Sequence, residues 1–158
     1  MNNKLVAYFS ASGQTARVAK ALAQAAGADL YEIRPAVPYT DADLDWRDSG
    51  SRSSIEMTHK AQRPALAESC PDVSGYDTVY LGFPIWWYVA PTLVNAFLES
   101  GDFSGKKIIL FATSGSSGFG DTLAELQPSA PGAQFVEGGL LSGLLTDGRI
   151  AKLAAELA

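Results

Sequence analysis

Short apolar runs alternate with longer amphipathic stretches along this chain, and the alternation points to one class of fold. Leu5 to Phe9 (L-V-A-Y-F) is apolar throughout, as suits a strand covered on both faces. From Thr15 to Ala26 apolar residues return at helical spacing, and Gly27 supplies the stop. Asp29 to Ile33 (D-L-Y-E-I) reads as a second strand ended by Pro35, Thr78 to Phe83 (T-V-Y-L-G-F) as a third, Lys107 to Ala112 (K-I-I-L-F-A) as a fourth and Gln134 to Glu137 as a fifth. The pattern predicts further helices over Pro91 to Glu99, with proline suitably in the first turn, over Asp121 to Leu126, and over Asp147 to Leu157. Continuous apolar strands alternating with helices indicate an α/β protein whose five strands form a parallel sheet covered on both faces.

The stretch Pro38 to Pro71 breaks this rhythm. It is rich in Asp, Ser and Arg, as in D-A-D-L-D-W-R-D-S-G-S-R-S-S, and carries only a weak helix signal around Ser54 to Ala61. Long irregular connections in compact domains tend to be functional or disordered. Trp46 and Ile55 indicate that part of this one packs. No repeat or internal boundary is visible, so residues 1–158 read as one domain with an irregular insertion at 38–71.

Composition narrows the function. With 47% hydrophobic and 18% charged residues, the chain is globular in character. A net charge of −5 and a pI near 4.7 argue against nucleic acid or anionic membrane as partners. They favour protein partners with a basic docking surface. Cys70 is the sole cysteine, so no internal disulfide or Cys-rich metal site is possible, and Pro71 follows it directly. The sole histidine, His59, stands in a polar stretch without metal-ligand spacing and reads as a solvated loop residue. No G-x-S-x-G elbow is present to use it in a triad. Met1-Asn2-Asn3-Lys4 leads straight into a short strand, not into a signal-peptide core, and no apolar run nears the ~20 residues of a membrane span. A cytoplasmic protein is expected.

The chemistry lies in three loops at the carboxyl ends of the first, third and fourth strands. Phe9 to Thr15 (F-S-A-S-G-Q-T) carries a strand into a helix through Ser10, Ser12, Gly13, Gln14 and Thr15. Hydroxyls and unpaired N–H groups aimed at one point suit a phosphate, although Ser and Thr before a helix are also ordinary N-caps. Neither G-x-G-x-x-G nor G-x-x-x-x-G-K-[ST] occurs, which favours a mononucleotide or other phosphate ester over a dinucleotide or a nucleoside triphosphate.

The second loop is Pro84-Ile85-Trp86-Trp87-Tyr88-Val89-Ala90-Pro91. Three consecutive aromatics cannot all enter one core, so they either stack on a flat ligand or cover a surface. The third loop, with Ser114, Gly115, Ser116, Ser117 and Gly118, offers small residues and main-chain amides to a polar ring edge, or else forms a Gly/Ser turn. Ligands of doubly wound sheets sit at the carboxyl ends of the strands near the winding reversal. A phosphate loop, a stacking loop and a hydrogen-bonding loop together describe a flavin mononucleotide (FMN) site.

On these residues the chain resembles the flavodoxin family, closest to its short-chain bacterial members. The resemblance rests on S-x-S-G-Q-T at Ser10 to Thr15, L-G-F-P-I-W-W at Leu81 to Trp87 and A-T-S-G-S-S-G-F-G-D-T at Ala112 to Thr122. It implies a doubly wound five-stranded parallel sheet in the order 2-1-3-4-5, non-covalent FMN and electron transfer. By position, Ser10, Ser12, Gly13, Gln14 and Thr15 would bind the phosphate, Trp86 and Trp87 would flank the isoalloxazine, and Ser114 to Gly118 would approach its pyrimidine edge. Many members have Asn where Gln14 stands. Electron-transfer members often have a glycine beside the flavin, and Trp86 to Val89 contains none. No Lys or Arg occurs in the second or third loop, so a low-potential flavin is expected, with no conventional catalytic acid or base.

Two other functions remain open from sequence. One is an FMN-dependent NAD(P)H:quinone-type oxidoreductase in which the insertion helps form a substrate pocket. The other is a flavin-free protein-binding module of the same fold.

Overall fold

The computed structural model describes residues 4–10, 14–45, 47–59, 64–68, 71–85, 90–113 and 122–140. Strand and helix alternate in it as β1 Lys4–Tyr8, α1 Gln14–Ala26, β2 Asp29–Glu32, α2 Arg52–Thr58, β3 Thr78–Pro84, α3 Thr92–Glu99, β4 Lys107–Thr113, α4 Thr122–Leu126 and β5 Gln134–Leu140. All strand pairs are parallel and the sheet order is β2-β1-β3-β4-β5. The winding therefore reverses between β1 and β3, as the family resemblance implies. The closing helix expected over Asp147 to Leu157, and Trp46 and Cys70, lie outside the described residues.

Period two along the strands sorts the core into two layers. Val6, Tyr8, Tyr80, Ile109 and Phe111 face α1, where they meet Val18, Ala19, Leu22 and Ala23. Leu5, Ala7, Phe9, Val79, Leu81, Phe83, Ile108, Leu110 and Ala112 form the opposite layer with Leu93, Val94, Phe97 and Leu98 of α3. Burial on both faces explains why these strands are apolar without interruption. α1 ends at Gly27, whose φ of +64° is a conformation that side chains resist.

Three expectations are adjusted. The fifth strand runs past Glu137 to Leu140, because Gly139 pairs with Phe111 across a bulge at Leu110/Phe111. Two glycines weaken a strand signal in sequence, whereas here an already formed neighbour supplies the ladder. The insertion helix begins earlier than the pattern suggests, at Arg52, with Ser51 as its N-cap. Ile55 does not anchor it, being 46% exposed; Ser53, Ser54 and Met57 are the buried residues.

The insertion is a closed excursion rather than a loose loop. Its two ends are tied together just beyond β2: Ala36 N–H donates to Ala65 O, Ala67 N–H donates to Arg34 O (both 2.8 Å), and Pro35 bridges Leu66.

Candidate functional site

The start of the first loop is fixed by strands on both sides. Phe9 N–H donates to Gly82 O of β3 (2.9 Å), and Ile33 N–H donates to Tyr8 O (2.7 Å), so the sheet holds the chain up to Ser10. Ser10 is half-buried, Gln14 is the first residue of α1, and Thr15 is almost wholly buried in its first turn. That turn contains no acidic residue, so nothing in it offsets the positive end of the helix. A phosphate fits this end of α1.

Pro84, the last residue of β3, pairs in register with Thr113, the last of β4, and both Pro84 and Ile85 are half-buried. Ser12, Gly13, Trp86, Trp87, Tyr88, Ser114, Gly115, Ser116, Ser117 and Gly118 lie outside the described residues. The tertiary structure does bring together the points of departure. β1, β3 and β4 are adjacent, and with strands ~4.8 Å apart the three loops leave the sheet within about 10 Å of one another.

On the other side of Ser10, between the carboxyl ends of β1 and β2, a cavity of about 470 Å³ opens. Phe9, Ser10, Glu32, Arg34, Tyr39 and Ala67 line it with the turn at Pro35–Pro38. Ala67 reaches it because the returning end of the insertion is paired to the chain at Arg34. Arg34 and Glu68 form an ion pair at the rim, with side chains 53% and 59% exposed. Another cavity, of about 440 Å³ near Asp72 and Asp102, lies at the opposite edge of the sheet and is built from turns.

Tyr39 is held from three directions. Its ring packs against Phe9 with centroids 5.6 Å apart, and the Arg52 guanidinium sits 3.9 Å from its centroid. Its hydroxyl donates to Glu56, which also accepts from Arg52 Nε at 3.0 Å. Burial first, then the hydrogen bond to Glu56, push the Tyr39 phenol far above its ordinary value, so it remains a donor. Burial and the nearby Glu32 carboxylate raise Tyr8 as well.

Glu32, Arg34 and Tyr39 were not marked out by the sequence. Pro35 and Pro38 show that the chain turns after β2, but no local pattern reveals that residues 65–67 return to close the wall. Among the described residues, no group of three or more His, Cys, Asp or Glu side chains could hold a metal ion, and no helix is long and apolar enough to cross a membrane.

Comparison with known proteins agrees with this architecture. A family model described as Flavodoxin matches residues 3–157. A candidate flavoprotein from Bacteroides uniformis is 50% identical, with a TM-score of 0.90 over 96% of each chain. Another from Bacteroides eggerthii is 43% identical, with a TM-score of 0.89 over 98% of this chain and 97% of that one. A flavoprotein from Lactobacillus acidophilus, solved in complex with FMN, shares the fold at 19% identity, with a TM-score of 0.67 over 90% of this chain and 93% of that one. A search of curated protein sequences yields no match.

Proposed function

The chain belongs to the flavodoxin family, and on that footing we propose that it is an FMN-binding redox protein that passes electrons to a protein partner. The observation that carries the reading is the adjacency of β1, β3 and β4, whose carboxyl ends launch the hydroxyl, aromatic and Gly/Ser loops from one edge. The acid-free first turn of α1 suits the FMN phosphate, with Ser10 and Thr15 beside it. The FMN bound to the Lactobacillus acidophilus flavoprotein, on the same fold, supports the choice of cofactor.

When bound, the flavin supplies the redox chemistry, and the protein sets its position, exposure and electrostatics. The acidic chain, at net charge −5, would dock a partner through a basic surface. Adding FMN to the purified protein and recording absorbance and flavin fluorescence tests the reading. A quenched, saturable flavin spectrum is expected. A protein that stays colourless with excess FMN would instead be a flavin-free binding module.

The cavity between β1 and β2 favours a second function, an FMN-dependent oxidoreductase that takes hydride from NAD(P)H and reduces a quinone-like acceptor. A pure electron shuttle has no need of an open cleft of about 470 Å³ walled by an insertion. Steady NAD(P)H oxidation with a quinone and no added reductase distinguishes the enzyme from the shuttle.

A further inference from the structure

We propose that the cavity between the carboxyl ends of β1 and β2 binds the adenosine 5′-phosphate portion of a dinucleotide. The proposal rests on the flavin reading for the occupant of the neighbouring phosphate loop, but its own evidence lies on the β2 side of Ser10.

Three features converge there. First, the cavity is continuous with the phosphate loop: Ser10 lines it and also opens the run that leads into α1. A ligand whose phosphate rests at the start of α1 therefore has room to extend towards β2, away from the loops after β3 and β4. The volume of about 470 Å³ falls within the range that holds small ligands.

Second, Glu32 is the last residue of β2, directly beside Tyr8 of β1, and follows the phosphate loop by about 20 residues. In dinucleotide-binding strand–loop–helix–strand units, a carboxylate at this place accepts a hydrogen bond from the ribose 2′-hydroxyl of the adenosine. Local geometry makes Glu32 line the cavity.

Third, Arg34 lies two positions on, at the cavity wall, and its partner Glu68 is more than half exposed. An exposed ion pair is weak, so a ligand phosphate can take the guanidinium from Glu68 at little cost, and a phosphate can accept from it in bidentate fashion. Tyr39, fixed by Phe9, Arg52 and Glu56, gives the cavity a rigid side. The absence of G-x-G-x-x-G removes the glycine route to a pyrophosphate, and the Arg34 guanidinium at the cavity wall takes that place.

An adenosine phosphate can arrive as half of flavin adenine dinucleotide (FAD) or as half of a reduced nicotinamide dinucleotide. Titration calorimetry of the wild type, Glu32→Ala and Arg34→Ala separates these sources. AMP and NADH are titrated into the protein with and without FMN, and flavin-freed protein is titrated with FMN and with FAD. At least one of AMP, NADH and FAD is expected to bind with its adenosine in the cavity, and each substitution should weaken that ligand about tenfold or more. FMN affinity should change by less than about twofold, because both side chains lie outside the proposed FMN contacts.

FAD binding tighter than FMN, with the advantage lost in both variants, assigns the cavity to the flavin's own adenosine. NADH binding to FMN-loaded protein, lost in both variants, assigns it to the reductant. If neither substitution alters AMP, NADH or FAD binding, or if none of the three binds, the proposal is overturned. If FMN fails to bind the wild type while AMP binds and is lost in the variants, the flavin reading falls and the cavity assignment stands.

Discussion

The ring of Phe111 in β4 occupies the space that a side chain on Gly82 in β3 would need. A Cβ at Gly82 would come within 2.2 Å of the ring, and the two residues are register partners. Glycine at this place lets the strands pair while a large aromatic side chain covers their α1 face. The contact lies two residues before Pro84, where the second loop leaves the sheet.

Gly82→Ala is therefore expected to destabilise the protein by about 1–3 kcal/mol, because the buried Phe111 ring must move out of a packed layer. At about 2–4 °C per kcal/mol for a chain of this size, thermal unfolding should fall by several degrees. Combining it with Phe111→Leu should recover part of the loss relative to the sum of the two single variants. Additive losses in the double variant would show that the ring and the added methyl do not compete.

Thr15 stands in the acid-free first turn of α1. Thr15→Ala should weaken FMN about tenfold or more, the scale of a hydrogen bond to a charged group, and should weaken riboflavin much less. Titration calorimetry with both ligands measures the difference. Equal losses for the two ligands would place the phosphate elsewhere.

Trp86 and Trp87 are expected to supply the stacking face. Replacing the stacking tryptophan by Ala should release flavin fluorescence and weaken FMN by about 0.5–1.5 kcal/mol beyond the buried area lost. Two single variants that both keep a quenched flavin and unchanged affinity would assign the aromatic loop to another surface.

Tyr39 gives the protein an alkaline limit. Its phenol is raised above the ordinary value in the folded state, by burial and by Glu56, so the folded protein holds this proton more tightly than the unfolded chain. The associated stability is complete below the unfolded value of about 10 and is lost as pH rises beyond it. Tyr39→Phe should cost about 1 kcal/mol at pH 7 and flatten the fall in stability above pH 10, measured by urea unfolding across pH. An unchanged alkaline slope would show that other groups set it.

Much of the fold was legible because its strands are buried on both faces. Leu5 to Phe9, Val79 to Phe83 and Ile108 to Ala112 are buried at every position, and a nearly continuous apolar run is visible locally. The passage from β1 into α1 was legible for a similar reason, since an apolar strand followed by a short polar run and a helical period is a local pattern. Tertiary structure alone decided the rest. Gly139 belongs to β5 only because Phe111 pairs with it, and Gly82 is required only because that same ring lies across it. The cavity beside Ser10 exists because residues 65–67 return to pair with Arg34 to Ala36. Sequence patterns carry the periodicity of single elements; a contact between distant segments leaves no such period, and the folded chain supplies it.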